Sequence, residues 1–97
     1  MEQPDPIIHQ PVRLKIMSAL KVLPTSEPIE FVRLKGIVAA TEGNLGAHIA
    51  TLEEAGYVTV EKDFVGKRPR TRISLTKQGR RAFEIYIAYL RDIIDAV

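Results

Sequence analysis

Residues 43–58, GNLGAHIATLEEAGYV, contain the change of period that decides the fold. Up to residue 55 the apolar side chains recur at helical spacing, through Leu45, Ile49, Leu52 and Ala55. Beyond Gly56, which stands where a helix commonly ends in a left-handed residue, the spacing becomes that of a strand. Thr41 is a suitable N-cap. The stretch therefore predicts a helix over about 42–55 that leads directly into a β-strand.

Two glycines, Gly43 and Gly46, stand inside this predicted helix, where each costs about 1 kcal/mol relative to alanine. Gly43 falls in the first turn, where some amides lack intrahelical partners, so its cost is lower. Gly46 and Ala47 leave little side chain on the helix surface. We therefore expect a surface that lets the helix backbone approach a partner closely.

Upstream, the sequence predicts two more helices. The first begins near Pro11, since proline suits the first turn, and ends at Pro24. Its apolar stripe is Val12, Ile16, Met17, Leu20 and Leu23. A loop at residues 25–28 separates it from a shorter helix over about 30–38, whose inward side chains are Phe31, Leu34 and Val38.

Downstream, the sequence predicts a hairpin and a last helix. The segments YVTVEKDF (57–64) and TRISL (71–75) are rich in strand-forming residues, and VGKRPR (65–70) supplies a turn. Thr76 then caps a helix that runs to about Ala96. The fold class is therefore mainly α with a small β-hairpin wing (α+β), as a single domain over residues 1–97, a length that suits one core.

Composition excludes several function classes. The chain has no cysteine, so disulfides, thiolate zinc sites and thiol redox sensing are excluded. His9 and His48 have no partner at a recognisable ligand spacing, and no catalytic set or nucleotide-binding loop is present. We expect no metal, no cofactor and no enzymatic activity. Because no apolar run is long enough to span a bilayer and no signal peptide is present, we expect no membrane partner and a cytoplasmic location.

Charge is concentrated in one segment. The net charge of the whole chain is only +2, but residues 62–81 carry eight Lys or Arg residues against Asp63 alone, a net charge of +7. A polyanion is the expected partner of such a segment. Two helices joined by a short turn and followed by a basic hairpin are the parts of a winged helix-turn-helix, in which a helix enters the major groove of DNA and the hairpin contacts phosphates.

Three stretches also resemble a known family: PVRLKIM at the start of the first helix, EGNLGAHIATLEEAGYV, and RPRTRISLTKQG at the hairpin and the start of the last helix. Their order and spacing resemble the small winged-helix transcriptional regulators of the MarR and ArsR type of bacteria and archaea, over about residues 7–90. The resemblance implies a dimeric regulator that binds double-stranded DNA.

By this resemblance, the positions that face the major groove are Thr41, Glu42, Asn44, Ala47, His48 and Thr51. The wing contacts are Lys67, Arg68 and Arg70. The chain lacks the additional terminal dimerisation elements of larger MarR proteins and the cysteine pairs of metal-sensing ArsR members. Metal-controlled release of DNA is therefore not expected, and a small-molecule effector has no support in the sequence.

The last helix, over about 76–96, has more apolar positions than one stripe needs. One series is Phe83, Ile87, Leu90, Ile94 and Val97, and a second is Tyr86, Tyr89 and Ile93. One series suffices for the domain core, so we expect the other to form a homodimer interface. A wide core contact within a monomer is the alternative. A twofold dimer would place two third helices about 34 Å apart, or a multiple of that, on a palindromic site.

The sequence thus favours a sequence-specific, double-stranded DNA-binding transcriptional regulator that acts as a homodimeric repressor. Two other function classes remain open. One is a winged-helix protein-interaction module within a larger complex, and the other is an enzyme accessory domain. In the former, the polar residues of the third helix are ordinary exposed side chains, and the basic hairpin is either a solvated edge or a contact to an acidic protein.

Overall fold

A computed structural model describes residues 4–24 and 27–97. Helices and strands in these residues follow the order α1 (Pro11–Lys21), β1 (Ile29–Glu30), α2 (Phe31–Val38), α3 (Glu42–Glu54), β2 (Val58–Val65), β3 (Arg68–Leu75) and α4 (Lys77–Asp95). The predicted α+β class, mainly helical with a small hairpin wing, is confirmed. Residues 25 and 26 of the predicted loop lie outside the described residues.

Helix α1 begins where the sequence predicts. The Gln10 side chain accepts a hydrogen bond from the Arg13 amide at 2.8 Å, and Pro11 follows as the first helical residue. The buried residues of the predicted stripe are Ile16, Met17 and Leu20. The helix ends at Lys21, earlier than predicted, so Leu23 reaches the core from the segment that follows it.

A turn at residues 39–41 joins α2 to α3. Ala39 adopts a left-handed conformation (φ 58°, ψ 43°), and its amide donates to the Lys35 carbonyl at 2.9 Å. The Thr41 hydroxyl accepts from the Asn44 amide at 3.2 Å, which confirms the predicted N-cap. Of the predicted inward residues, those buried from α2 and α3 are Leu34, Val38, Leu45, Ile49 and Leu52.

The sheet has the order β1-β3-β2 and is antiparallel. Strand β1 was not predicted: it pairs only Ile29 with Ile73 and Glu30 with Arg72, and a strand of two residues has no visible alternation. The predicted hairpin is confirmed, but the predicted turn was too long. Gly66 and Lys67 alone form it, and Gly66, at φ 63°, adopts the positive φ that the first central residue of a type II′ turn requires. Arg68, Pro69 and Arg70, which the sequence placed in the turn, belong to β3.

Hydrogen bonds of Thr76 cap α4 and fix its start against the residues that follow α3. The Thr76 hydroxyl accepts from the Gly79 amide at 2.9 Å and donates to the Gly56 carbonyl at 2.7 Å, while the Thr76 amide donates to the Tyr57 carbonyl at 3.0 Å. Gly56 has φ 85°, as its predicted place after α3 requires. The wing is thereby tied at its base to both helices.

One hydrophobic core underlies all these elements. Its members, each less than 10 % exposed, are Ile8, Ile16, Met17, Leu20, Ile29, Leu34, Val38, Leu45, Ile49, Leu52, Val58, Ile73, Leu75, Phe83 and Tyr86. Helix α4 contributes Phe83 and Tyr86 from its first half, and every residue from 91 to 97 is exposed. Ile87 and Leu90 pack at the edge of the core, so the end of α4, from Arg91 onward, is the part that projects from it.

Candidate nucleic-acid interface

Helix α3 presents a polar side to solvent. A helix turns about 100° per residue, so Asn44, Ala47 and Thr51 share a side that faces away from the buried residues Leu45 and Ile49. Asn44 and Ala47 are exposed and Thr51 is half-buried. The structure therefore brings three of the six predicted groove-facing residues together on one surface.

The remaining three predicted positions lie at the edges of this surface. Thr41 is exposed, but its hydroxyl caps α3. His48 is half-buried on the edge nearer the core, and Glu42 is exposed on the opposite edge, which faces the wing. The six predicted positions thus lie on or beside the exposed side of α3, and they are not equally accessible to a partner.

Hydrogen bonding distinguishes the residues of this surface. The Thr51 hydroxyl donates to the Ala47 carbonyl at 3.2 Å, so its proton is already engaged within α3. The side-chain amide of Asn44 makes no hydrogen bond to any of residues 4–24 and 27–97. An exposed amide with both donor and acceptor available is the group that pairs with the N6 and N7 edge of adenine.

The wing separates its predicted contacts into two groups. Lys67, in the turn, and Arg68, at the first position of β3, are both exposed at the tip. Arg70 instead forms a bidentate pair with Asp63, in which Nε donates to Oδ1 at 2.9 Å and Nη2 donates to Oδ2 at 2.6 Å. These hydrogen bonds hold the pKa of Asp63 below its usual value and raise the pKa of Arg70.

A second arginine of the wing is also paired. Arg72 Nη2 lies 3.1 Å from Glu61 Oε2 and 3.6 Å from Asp63 Oδ2. The antiparallel register places Glu61 opposite Arg72 and Asp63 opposite Arg70, so two acids and two arginines form a ladder on one face of the hairpin. These pairs therefore neutralise part of the positive charge in the middle of the wing, whereas the cations at its tip remain unpaired.

A groove of about 600 Å³ separates α3 from the wing. Its residues are Phe31, Glu42, Gly46, Ile49, Ala50, Glu53, Val60, Lys62 and Thr71. Gly46 is a half-buried part of its wall, and a Cβ added there would meet no atom within 4 Å. The missing side chain thus widens this groove, while the small residues on the outermost side of α3 are Gly43, Ala47 and Ala50.

The apolar residues predicted for dimerisation differ in burial along α4. Phe83 and Tyr86 are buried in the core, and Ile87, Tyr89 and Leu90 are half-buried. Ile93, Ile94 and Val97 are exposed on the projecting end of the helix, Ile94 to 69 %. Ile85 is also exposed, to 53 %, and sequence reasoning missed it because it belongs to neither apolar series.

The described residues contain neither a cluster of metal ligands nor a membrane-spanning helix. No group of three or more His, Asp or Glu side chains in residues 4–24 and 27–97 could hold a metal ion. In the same part of the chain, no helix has the length and apolar character that crossing a membrane requires.

Comparison with known proteins places these features in a family. A family model for a winged helix DNA-binding domain matches residues 12–94. An uncharacterised protein of Methanocaldococcus jannaschii is 41 % identical over 81 residues, which cover 84 % of this chain and 85 % of that protein. The solved structure of a transcriptional regulator homologue from Pyrococcus horikoshii superposes with a TM-score of 0.83 at 32 % identity, over 93 % of this chain and 86 % of that one.

A more distant structure has the same fold. A Porphyromonas gingivalis protein named as a MarR-family transcriptional regulator superposes with a TM-score of 0.71 at 17 % identity, over 100 % of both chains. The resemblance to small winged-helix regulators, given by the stretches PVRLKIM, EGNLGAHIATLEEAGYV and RPRTRISLTKQG, is confirmed, and the matching family is one of DNA-binding domains and not of enzymes. The chain belongs to the winged helix DNA-binding domain family.

Proposed function

We propose that the chain is a homodimeric transcriptional repressor that recognises a specific double-stranded DNA sequence. The observation that supports this best is the common setting of α3 and the wing: the two elements line one groove, the polar side of α3 is exposed beside it, and the unpaired cations Lys67 and Arg68 are exposed at the tip of the wing. In this proposal α3 enters the major groove, and the wing contacts the backbone or the minor groove.

Affinity and specificity come from different residues. Lys67 and Arg68 neutralise phosphates and release counterions, which strengthens binding to any duplex and makes it sensitive to salt. Asn44 pairs with a base edge, assisted by Thr51 and His48 at the sides of the contact. The short side chains of Gly43, Ala47 and Ala50 allow the α3 backbone to lie close to the bases.

The projecting end of α4, from Arg91 onward, supports the homodimer. Ile93, Ile94 and Val97 are exposed on a helix that extends beyond the core, and an apolar surface of this kind is stabilised when a second copy covers it. A twofold dimer would present two α3 helices to successive major grooves about 34 Å apart, on a palindromic site. Repression then follows from occupation of a promoter.

Selection of bound sequences from a random duplex library tests this function. We expect enrichment of a palindrome whose half-sites are spaced by about one or two DNA turns. Affinity for the selected duplex would then be measured at several salt concentrations. Each of Lys67→Ala and Arg68→Ala should weaken binding and reduce the salt slope by about 1, whereas Asn44→Ala should relax specificity at one base pair and cost about 1–3 kcal/mol.

Lys21→Ala is the matched control for lost charge, because Lys21 lies beside Glu84 of α4, with Nζ 3.8 Å from Oε2, and not at the wing. It should leave duplex binding unchanged. The absence of duplex binding at low salt, or binding that the wing substitutions do not alter, would sink the proposal. Duplex binding without sequence preference, accompanied by tight binding to an acidic protein, would favour the protein-interaction module instead.

A further inference from the structure

The tip of the wing has an apolar side as well as a basic one. Phe64 is 69 % exposed and Val65 is 46 % exposed, at the end of a strand whose neighbours along the chain are Lys62, Lys67 and Arg68. Scattered exposed apolar residues are ordinary on protein surfaces. An exposed aromatic ring on a hairpin tip that also carries unpaired cations is less ordinary, because those cations attract a polyanion to the tip.

The hairpin register places Pro69 directly opposite Phe64. Val65 and Arg68 flank the two-residue turn and so form a hydrogen-bonded pair, which makes the next pair, Phe64 and Pro69, a non-hydrogen-bonded one. Side chains in such a pair lie closer together than in a hydrogen-bonded pair. Pro69 needs no amide there, since its nitrogen faces away from β2 and β1 pairs only farther along β3. Phe64 therefore lies directly opposite a rigid ring across the hairpin.

Phe64 also lies on the side of the wing that faces α3. Successive residues of a strand alternate between faces, so Phe64 shares a face with Val60 and Lys62, which line the groove beside α3. Val65 lies on the opposite face, with the Asp63 and Arg70 pair. DNA held by α3 would meet Phe64 and not Val65.

We infer that Phe64 is an apolar wedge that the wing inserts into the minor groove beside the α3 contact. Lys67 and Arg68 bind the flanking phosphates, while the ring packs on sugars and base edges and partly unstacks one base step. Wedges of this kind bend DNA towards the major groove. This inference rests on the proposed function, because it requires that the wing binds duplex DNA.

A fluorescent side chain at the tip provides the decisive test. The chain contains no tryptophan, so Phe64→Trp creates a single reporter, and Val65→Trp creates its matched control one residue away on the opposite face. The probe is the duplex selected from the random library. We expect the duplex to quench the emission of Phe64→Trp strongly, through stacking of the indole on a base, and to change that of Val65→Trp little.

DNA bending and affinity provide a second measurement. The selected duplex, labelled with a donor and an acceptor at its ends, should show a shorter end-to-end distance with the unmodified protein. Phe64→Ala should abolish that shortening and weaken binding about tenfold, within the range found for loss of an aromatic contact to a base. Val65→Ala should preserve both the bend and the affinity. Neither substitution removes a buried side chain, so both variants should fold.

Failure of the Phe64 wedge and failure of the proposed function give different results in these experiments. If the unmodified protein does not bind the duplex, both are overturned. If it binds and Lys67→Ala weakens binding, but the two tryptophan variants respond alike or Phe64→Ala bends the duplex as before, the proposed function stands and the wedge is overturned.

Discussion

Gly79 shows how a single residue determines where α4 lies. A Cβ added to Gly79 would stand 2.0 Å from the Tyr57 carbonyl oxygen and 2.8 Å from its carbon, distances that only movement of the backbone can relieve. The same carbonyl accepts from the Thr76 amide at 3.0 Å. The LTKQG stretch therefore combines an N-cap with a glycine that lets the first turn of α4 cross the chain leaving α3.

Gly79→Ala should lower the free energy of unfolding by about 2–3 kcal/mol, because overpacking here displaces main chain and not a flexible side chain. Urea denaturation measures this. Gly36→Ala is the control: a Cβ there meets nothing within 4 Å, and alanine favours the helix interior, so we expect stabilisation by about 0.5–1 kcal/mol. Equal effects of the two substitutions would contradict the close approach at Gly79.

Tyr57 introduces a dependence of stability on alkaline pH. Its hydroxyl donates to Asp5 Oδ2 at 2.5 Å, and burial, this hydrogen bond and the charge of Asp5 raise the pKa of Tyr57 from 10.0 to about 12. Because the folded-state pKa exceeds the unfolded one, the folded state retains the proton longer. The contribution of Tyr57 to stability is therefore complete below pH 10 and is lost as the pH rises to about 12.

Tyr57→Phe should be less stable than the unmodified protein at neutral pH, and the difference should shrink as the pH rises through this window. Urea denaturation at a series of pH values measures it. Tyr89→Phe serves as a control, because the Tyr89 hydroxyl makes no hydrogen bond within the described parts of the chain, 4–24 and 27–97. A stability difference that does not change with pH would refute the assignment.

At the scale of elements, the turn between α2 and α3 sets the angle at which α3 is presented. Ala39 holds a left-handed conformation that costs an L-residue roughly 1 kcal/mol or more and costs glycine almost nothing. Ala39→Gly should therefore stabilise the domain by about 0.5–1 kcal/mol in thermal or urea unfolding. Ala40→Gly, one residue on and without a positive φ, should destabilise it slightly. The reverse order would show that the turn is strained elsewhere.

Asp63 reduces the positive charge that the wing can present to DNA. Asp63 pairs with Arg70 and lies 3.6 Å from Arg72, so it lowers the net positive charge of the wing that carries Lys67 and Arg68. If the wing binds DNA as proposed, Asp63→Asn should tighten duplex binding several-fold and steepen its salt dependence by about one phosphate contact. Titrations at several salt concentrations measure both. Weaker binding would show instead that Asp63 orients Arg70 for its contact.

For the whole molecule, the distribution of buried surface along α4 determines the expected assembly. Helix α4 packs on the core through Phe83 and Tyr86, with Ile87 and Leu90 at the edge of the core, whereas residues 91–97 are exposed. Ile94→Glu should shift sedimentation from dimer to monomer while the circular dichroism spectrum is retained, because Ile94 is 69 % exposed in the single chain. It should also weaken operator binding, since each α3 then binds alone.

Ile37→Glu is the matched control, since Ile37 is an apolar side chain on α2 that is 54 % exposed. It should leave the sedimentation coefficient unchanged. Sedimentation of the unmodified protein as a monomer at all concentrations would overturn the dimer and, with it, the expected palindrome.

Much of the fold could be predicted because the relevant interactions are local. The stripe of Leu45, Ile49 and Leu52, the caps at Thr41 and Thr76 and the change of period after Gly56 are all encoded within a few residues. Strand β1 could not be predicted, because its two residues form a strand only through pairing with β3. The turn was placed too broadly because Pro69 suggests a turn by itself, whereas the register puts it at a non-hydrogen-bonded position of a strand.

The candidate site, likewise, could be predicted from the sequence only in part. The order of helices, the basic hairpin and the polar residues of α3 could be predicted from the sequence, since periodicity, capping and composition depend on neighbours in the chain. Four features emerge only in three dimensions: Arg70 is held by Asp63, Gly46 lines a groove instead of the outermost surface, Phe64 faces α3, and α4 packs on the core as far as Leu90 and projects from Arg91 onward. Each depends on which residues meet across strands or between helices, and those contacts join positions whose separation along the chain leaves no local pattern.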